Sequence, residues 1–109
     1  MKNSDKILYS VSGNIAKLTI NRPERRNALD AEALEQINIL MDRAESDENV
    51  RVILITGQGD TFSSGFDLKD QMEKVPKGKQ WKPILELDHR TIMRFWNSPK
   101  PTIAAVRGA

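Results

Sequence analysis

The sequence predicts an α/β fold, with a sheet of parallel type covered by helices. Three observations carry that reading. Two short β-type runs flank a glycine turn near the start of the chain. An amphipathic helix follows and leads into four consecutive apolar residues, Val52 to Ile55. A second helix then leads into another core-type strand, and each helix followed by a buried strand is half of a βαβ unit.

The elements follow in order. "KILYSVSGNIAKLTIN" holds two runs around Ser12-Gly13-Asn14, and glycine and asparagine tolerate the positive φ of a tight hairpin. In the second run Ala16, Leu18 and Ile20 form one apolar face. "DAEALEQINILMDRAESD" reads as a helix with Asp30 as N-cap and Glu32 and Glu35 near its positive end. Leu34, Ile37, Met41 and Ala44 share one stripe, which Leu40 widens. "VRVILIT" suits a strand buried on both faces. "QMEKVPKGKQWKP" is polar, holds two prolines and a glycine, and reads as a loop. "ILELDHRTIMRFWN" is a second helix whose face carries Leu85, Ile92 and Phe95 or Trp96. It stops before Ser98-Pro99-Lys100-Pro101, because a residue before proline avoids helical geometry. "TIAAV" is the last strand. A strand that runs into Arg107-Gly108-Ala109 normally leads to a further helix, so the expectation is a part of something longer or an unusually small domain.

Composition narrows the classes. The chain has 109 residues, 39% hydrophobic and 29% charged, as in one small globular domain. Its 17 basic and 15 acidic side chains leave a net charge of +2 with no run of five like charges, so no nucleic-acid surface is indicated. With no cysteine there is no disulfide, no thiolate nucleophile and no thiolate metal site. His89 is the single histidine, which excludes a His-rich metal centre within the chain. The N-terminus is too polar for a signal peptide and no apolar run approaches membrane-spanning length. The expected setting is cytoplasmic, with no membrane association.

The stretch "TFSSGFDLKD" raises the functional question. Ser63, Ser64 and Gly65 are small residues between Phe62 and Phe66, and small residues let another group approach the main chain. A serine nucleophile needs a base, and His89 lies within an amphipathic helix. Neither a Gly-x-Ser-x-Gly elbow nor a Gly-Lys-Ser/Thr phosphate loop is present. Two readings stay open. One is a plain strand-to-helix connection. The other has Gly65 ending a compact loop and Phe66-Asp67-Leu68 starting a helical turn, which bares an N–H able to serve as half of an oxyanion hole.

"GNIAKLTINRPERRNALD", "VRVILITGQGDTFSSGFDL" and "PKPTIAAVRGA", in that order and spacing, resemble the enoyl-CoA hydratase/isomerase (crotonase) superfamily. The resemblance spans nearly the whole chain. It implies a crotonase-like spiral of ββα units, with residues 1–109 as its incomplete N-terminal half. It also implies acyl-CoA thioester substrates and assembly as a homo-trimer or hexamer. Coenzyme A then enters as part of the substrate, with no covalently bound cofactor and no metal. Two backbone N–H groups hold the thioester oxygen while an enolate forms, and Phe66 matches the first donor. Ser63, Ser64, Gly65, Asp67 and Leu68 match the loop along the adenine and pantetheine end of CoA. Arg26 and Ala28 match the stretch beside it, with Arg22, Arg25 and Arg26 either near phosphates or simply solvated. Phe66 stands where alanine or glycine is more usual, which implies a narrower site. "QMEKVPKGKQWKP" matches the variable region that shapes the acyl pocket. The second donor and the acid/base carboxylates belong to family segments beyond Ala109. The resemblance leaves the reaction open among hydratase, isomerase, dehalogenase, decarboxylase and ring-forming synthase chemistry, with an enoyl-CoA hydratase (a lyase) or isomerase of fatty acid metabolism as the leading expectation. The alternative is a non-catalytic fragment or scaffold domain of the same fold. Asp67 reads as an arginine partner or turn cap, His89 as a polar helix position, and Trp81, Phe95 and Trp96 as packing residues.

Overall fold

The computed structural model describes residues 5–74 and 81–108. β1 (Ile7–Ser12) and β2 (Ile15–Ile20) pair antiparallel, with Ile7 opposite Ile20 and Ser12 opposite Ile15. Gly13 closes their turn at a φ of 60°, where glycine meets no Cβ penalty. A single 3₁₀ turn, Pro23–Arg25, follows β2. α1 (Ala31–Ser46) starts where the Asp30 carboxylate accepts a hydrogen bond from the Ala33 N–H at 2.9 Å. That contact satisfies one of the N–H groups a helix start leaves over. Leu34, Ile37, Met41 and Ala44 are all at most 1% exposed, so the apolar stripe of α1 is the buried one.

β3 (Val52–Gly57) joins β2 in parallel, and β4 (Thr102–Ala105) joins β3 in parallel, giving the order β1-β2-β3-β4. Each parallel step extends the same edge. A right-handed crossover then places both connecting helices on one face of the sheet. α1 therefore packs beside α3 (Trp81–Asn97), where Asn38 Nδ2 donates to Thr91 Oγ1 at 2.7 Å. The core they cover includes Ala16, Leu18, Ile20 and Ile53, with Phe62, Phe66, Leu87 and Phe95 packed against its rim.

Three expectations are corrected. β3 is buried on one face only: Ile53 and Ile55 face the helices, whereas Val52, Leu54 and Thr56 are half-buried. The opposite side leaves Leu8, Ile15 and Ile103 exposed, because both crossovers turn the same way. Residues 71–83 are not simply a loop. α2 (Leu68–Lys74) and the first turn of α3 take up both ends of that stretch, and residues 75–80 of the expected loop lie outside the described residues. Pro83 is compatible with this, since a first helical turn has no use for its missing N–H. Finally, the face of α3 turned inward carries Leu87, Asp88, Thr91 and Phe95, while Leu85, Ile92 and Trp96 are exposed. Polar Asp88 and Thr91 tolerate burial because each has hydrogen-bond partners there. Trp96 is thus not a packing residue of the described fold.

Leu18 is fully buried at the centre of β2, so Leu18→Ala is expected to lower the unfolding free energy by about 2–5 kcal/mol. A urea titration followed by circular dichroism measures it. A loss below about 1 kcal/mol would show that the sheet centre is not the core.

Candidate functional site

The loop after β3 is pressed against the strand it leaves. A Cβ added at Gly57 would lie 2.3 Å from the Phe62 carbonyl oxygen and 2.6 Å from that of Thr61, so only glycine admits the loop this closely. Asn27 holds the loop from the other side. Its side-chain amide donates to the carbonyls of Gln58 (3.0 Å) and Thr61 (2.7 Å), and its Oδ1 accepts from the Arg22 N–H at 2.8 Å. Asn27 is fully buried with a φ of 55°, a left-handed value that asparagine accepts more readily than most residues. The segment just after β4 completes the clamp. The Phe62 N–H donates to the Arg107 carbonyl at 2.9 Å, and the Arg107 guanidinium donates to the Gly57 carbonyl at 3.2 Å.

Within this frame the small residues have distinct tasks. The Ser63 hydroxyl donates to the Asn27 carbonyl at 2.8 Å and accepts from the Gly65 N–H at 3.0 Å. It is committed to the main chain and is no nucleophile. The exposed Ser64 donates its N–H to the Arg26 carbonyl at 3.0 Å. Gly65 has a φ of 101°, which side-chain-bearing residues rarely adopt. That turn delivers Phe66 into a one-residue parallel bridge with Leu29. The Leu29 N–H donates to the Gly65 carbonyl and the Asp67 N–H donates to the Leu29 carbonyl, both at 2.8 Å. Alternate peptide groups of an extended segment point to opposite sides. The Phe66 N–H therefore faces away from Leu29, and it donates to no group among the described residues.

A cluster of charges lies beneath the bridge. Arg22, only 7% exposed, donates through Nη1 to the Ala28 carbonyl and lies 3.4 Å from Asp67 Oδ2. Its Nη2 is 3.5 Å from Asp30 Oδ2. Arg25 reaches the same Asp67 oxygen at 3.5 Å, and Lys6 pairs with Asp30. Asp67 Oδ1 accepts the Asp70 N–H at 3.0 Å. Burial pushes the Asp67 carboxyl up, but that N–H and the Arg25 and Arg22 charges outweigh it and hold it below the usual carboxylate range. Asp30 behaves alike: burial raises it, while Lys6, the Ala33 N–H and Arg22 bring it down. Arg22 is thus neither solvated nor aimed at a ligand. Asp67 both pairs with arginine and caps the turn that follows.

A cavity of about 330 Å³ sits between α3 and the helix-covered face of the sheet. Ile20, Ile55, Phe62, Ile92 and Phe95 line it, with Ser63, Gly65 and Phe66 on its wall. That volume falls in the range of small-ligand sites. A second, more open recess shares Phe66 and carries Asp88 and His89. Asp88 is 6% exposed, and its two oxygens lie 3.1 and 2.8 Å from Gln71 Nε2. Burial raises this carboxyl above the usual range, against the smaller effect of the Gln71 amide. Among the described residues no group of three metal-ligating side chains is present, and no helix is long and apolar enough to cross a membrane.

The structure gathers the expected residues around one loop. Arg26, Ser64 and Leu68 are exposed beside it, whereas Ala28 and Asp67 are buried under it. Asn27, Arg22 and Gly57 all stand within the matched motifs, yet nothing in their local sequence marks them as loop supports.

The α/β fold places on one loop, beside an apolar cavity, an N–H with no acceptor among the described residues. The sequence model described as Enoyl-CoA hydratase/isomerase matches residues 10–109, and the chain belongs to that family. It is 37% identical over 109 residues to the "Probable enoyl-CoA hydratase echA14" of Mycobacterium tuberculosis, covering 100% of this chain and 42% of that protein. It overlays the crystal structure of an enoyl-CoA hydratase/isomerase from Xanthobacter autotrophicus Py2 with a TM-score of 0.92 at 56% identity, covering 95% of this chain and 39% of the other. Pseudomonas aeruginosa PA4980 overlays with a TM-score of 0.86 at 34% identity, covering 97% and 46%. The chain spans less than half the length of these relatives.

Asp88 yields a pH test. Its folded pKa lies above its unfolded value, so the ionised form opposes folding, and stability is gained as pH falls through the folded pKa. Asp88→Asn is expected to raise the melting temperature at pH 7, with the gain shrinking toward zero near pH 3.8. A gain independent of pH would assign it to packing instead.

Proposed function

We propose that this chain is the N-terminal portion, residues 1–109, of an enzyme that binds acyl-CoA thioesters and stabilises a thioester enolate, of the enoyl-CoA hydratase/isomerase type. The single observation that carries the reading is the Phe66 N–H, fixed in direction by the Leu29 bridge and donating to nothing among the described residues. A carbonyl oxygen that gains negative charge is the partner such a donor suits, and a fixed donor needs no reorganisation as that charge develops. The apolar cavity that shares Gly65 and Phe66 offers a dry place for an acyl group. Arg26, Ser64 and Leu68, exposed around the loop, are the proposed contacts for the CoA moiety. Ser63 and Gly65 let that moiety lie close to the main chain. Ala28 and Asp67 support from below. The names of the relatives favour the same class.

In this reading the second donor and the acid/base carboxylates lie in family segments beyond Ala109. The contact of Arg107 with Phe62 brings the start of those segments beside the first donor. By itself the 109-residue chain binds without turnover. Coenzyme A is part of the substrate, no covalent cofactor takes part, and the working protein is a cytoplasmic trimer or pair of trimers.

The test is enoyl-CoA hydration and acyl-CoA titration, measured on this chain and on the protein at its relatives' length. Phe66→Pro removes the N–H without breaking a hydrogen bond to any described group. It is expected to lower kcat about 10²–10³-fold, the cost of one oxyanion donor, and also to lower the melting temperature, because the Phe66 ring leaves the rim of the core. Phe66→Ala, which loses the ring and keeps the N–H, is expected to show the stability loss without the full loss of kcat. An unchanged kcat would sink the oxyanion role. Hydration by the 109-residue chain alone would sink the half-site reading.

A further inference from the structure

We propose that Arg22 is a positioning residue for the Phe66 N–H, an inference that rests on the acyl-CoA reading and deepens it. The argument is one of adjacency. The Leu29–Phe66 bridge is a single pair, held by two hydrogen bonds and not extended into a ladder. One such pair in a loop has little intrinsic rigidity. The Arg22 guanidinium touches the chain on both sides of it. It donates to the Ala28 carbonyl, immediately before Leu29, and lies 3.5 Å from the Asp30 carboxylate, immediately after Leu29. It also lies 3.4 Å from the Asp67 carboxylate, immediately after Phe66. One planar fork thus spans both partners of the bridge from beneath.

The position of Arg22 is set in turn from its own backbone. Its N–H donates to the buried Asn27 Oδ1, whose amide holds the carbonyls of Gln58 and Thr61. Arg22 therefore joins the loop before α1 to the loop after β3. The Arg25 guanidinium also reaches Asp67, but the side chain is nearly half exposed and the guanidinium pairs with neither the Ala28 carbonyl nor Asp30 among the described residues, so it cannot replace the fork. A burial this polar is a poor way to gain stability alone, since well-packed apolar groups serve as well. It is a good way to set the direction of a peptide group, because guanidinium donors are directional and ammonium is not.

Arg22→Lys keeps the charge and removes the fork. Arg22→Ala leaves two buried carboxylates short of a partner, so the lysine variant is the primary probe and Asp67→Asn the second. Two readouts apply. Backbone hydrogen exchange at Leu29 and Asp67, read without ligand, reports the bridge itself. The infrared carbonyl stretch of bound crotonyl-CoA, measured on the protein at its relatives' length together with kcat and KM, reports the donor.

In Arg22→Lys we expect faster exchange at both amides and a carbonyl stretch moved back toward that of free crotonyl-CoA. We also expect kcat to fall by about tenfold or more with KM within about threefold, as for a misplaced reacting geometry. Asp67→Asn should move all three in the same direction and less. Unchanged exchange, or faster exchange with the parental carbonyl stretch and kcat, overturns the inference and leaves the acyl-CoA reading standing. If the parent protein itself leaves the bound carbonyl unshifted, the acyl-CoA reading fails and this inference falls with it.

Discussion

The contact between Leu29 and Phe66 is the constraint on which the rest of the site depends. Two 2.8 Å hydrogen bonds join the segment before α1 to the segment before α2, elements far apart in sequence. Their geometry leaves the Phe66 N–H on the far side by simple alternation. Everything around the bridge serves to keep it closed. Gly65 supplies the backbone turn that enters it, and Ser63 ties that turn down through the Asn27 carbonyl. The buried charges of Arg22, Asp30 and Asp67 brace it from below. A bare donor in a loop without these supports would swing toward water and lose its preorganisation.

The sheet contributes by its handedness. Both parallel crossovers turn the same way, so both helices cover one face and the loops that leave β3 and β4 emerge at the same end. Arg107 and Phe62 consequently meet, and Gly57 becomes the point where loop and strand touch. The apolar cavity arises at the same end, between the inward face of α3 and the core. The same one-sidedness leaves Leu8, Ile15 and Ile103 exposed on the opposite face.

Charge placement within the helices shows where sequence patterns mislead. Hydrophobic spacing in α3 favours the face of Leu85, Ile92 and Phe95 or Trp96, yet the buried face includes Asp88 and Thr91, and of those four only Phe95 packs against the core. Periodicity counts apolar residues and does not see partners. Gln71 on α2 and Asn38 on α1 satisfy Asp88 and Thr91, and those partners come from 17 and 53 residues away. Arg22 is hidden for the same reason. In "NRPERRN" it reads like Arg25 and Arg26, and only contacts 6 and 45 residues along the chain distinguish it.

By itself the sequence determined the α/β class, the hairpin at Gly13, the start of α1 at Asp30 and its buried stripe. Each depends on local spacing or on a side chain a few residues from the group it caps. The resemblance carried by "NRP", "NAL" and "FSSGFDL" also marked Phe66 within the same chain. Tertiary structure alone decided which of three arginines is buried, which face of α3 packs inward, that β3 is covered on one side, and that the Phe66 N–H has no acceptor among the described residues. These depend on which distant groups meet. Hydrogen-bond satisfaction and burial are properties of pairs brought together by the fold, and no single segment of sequence contains both members.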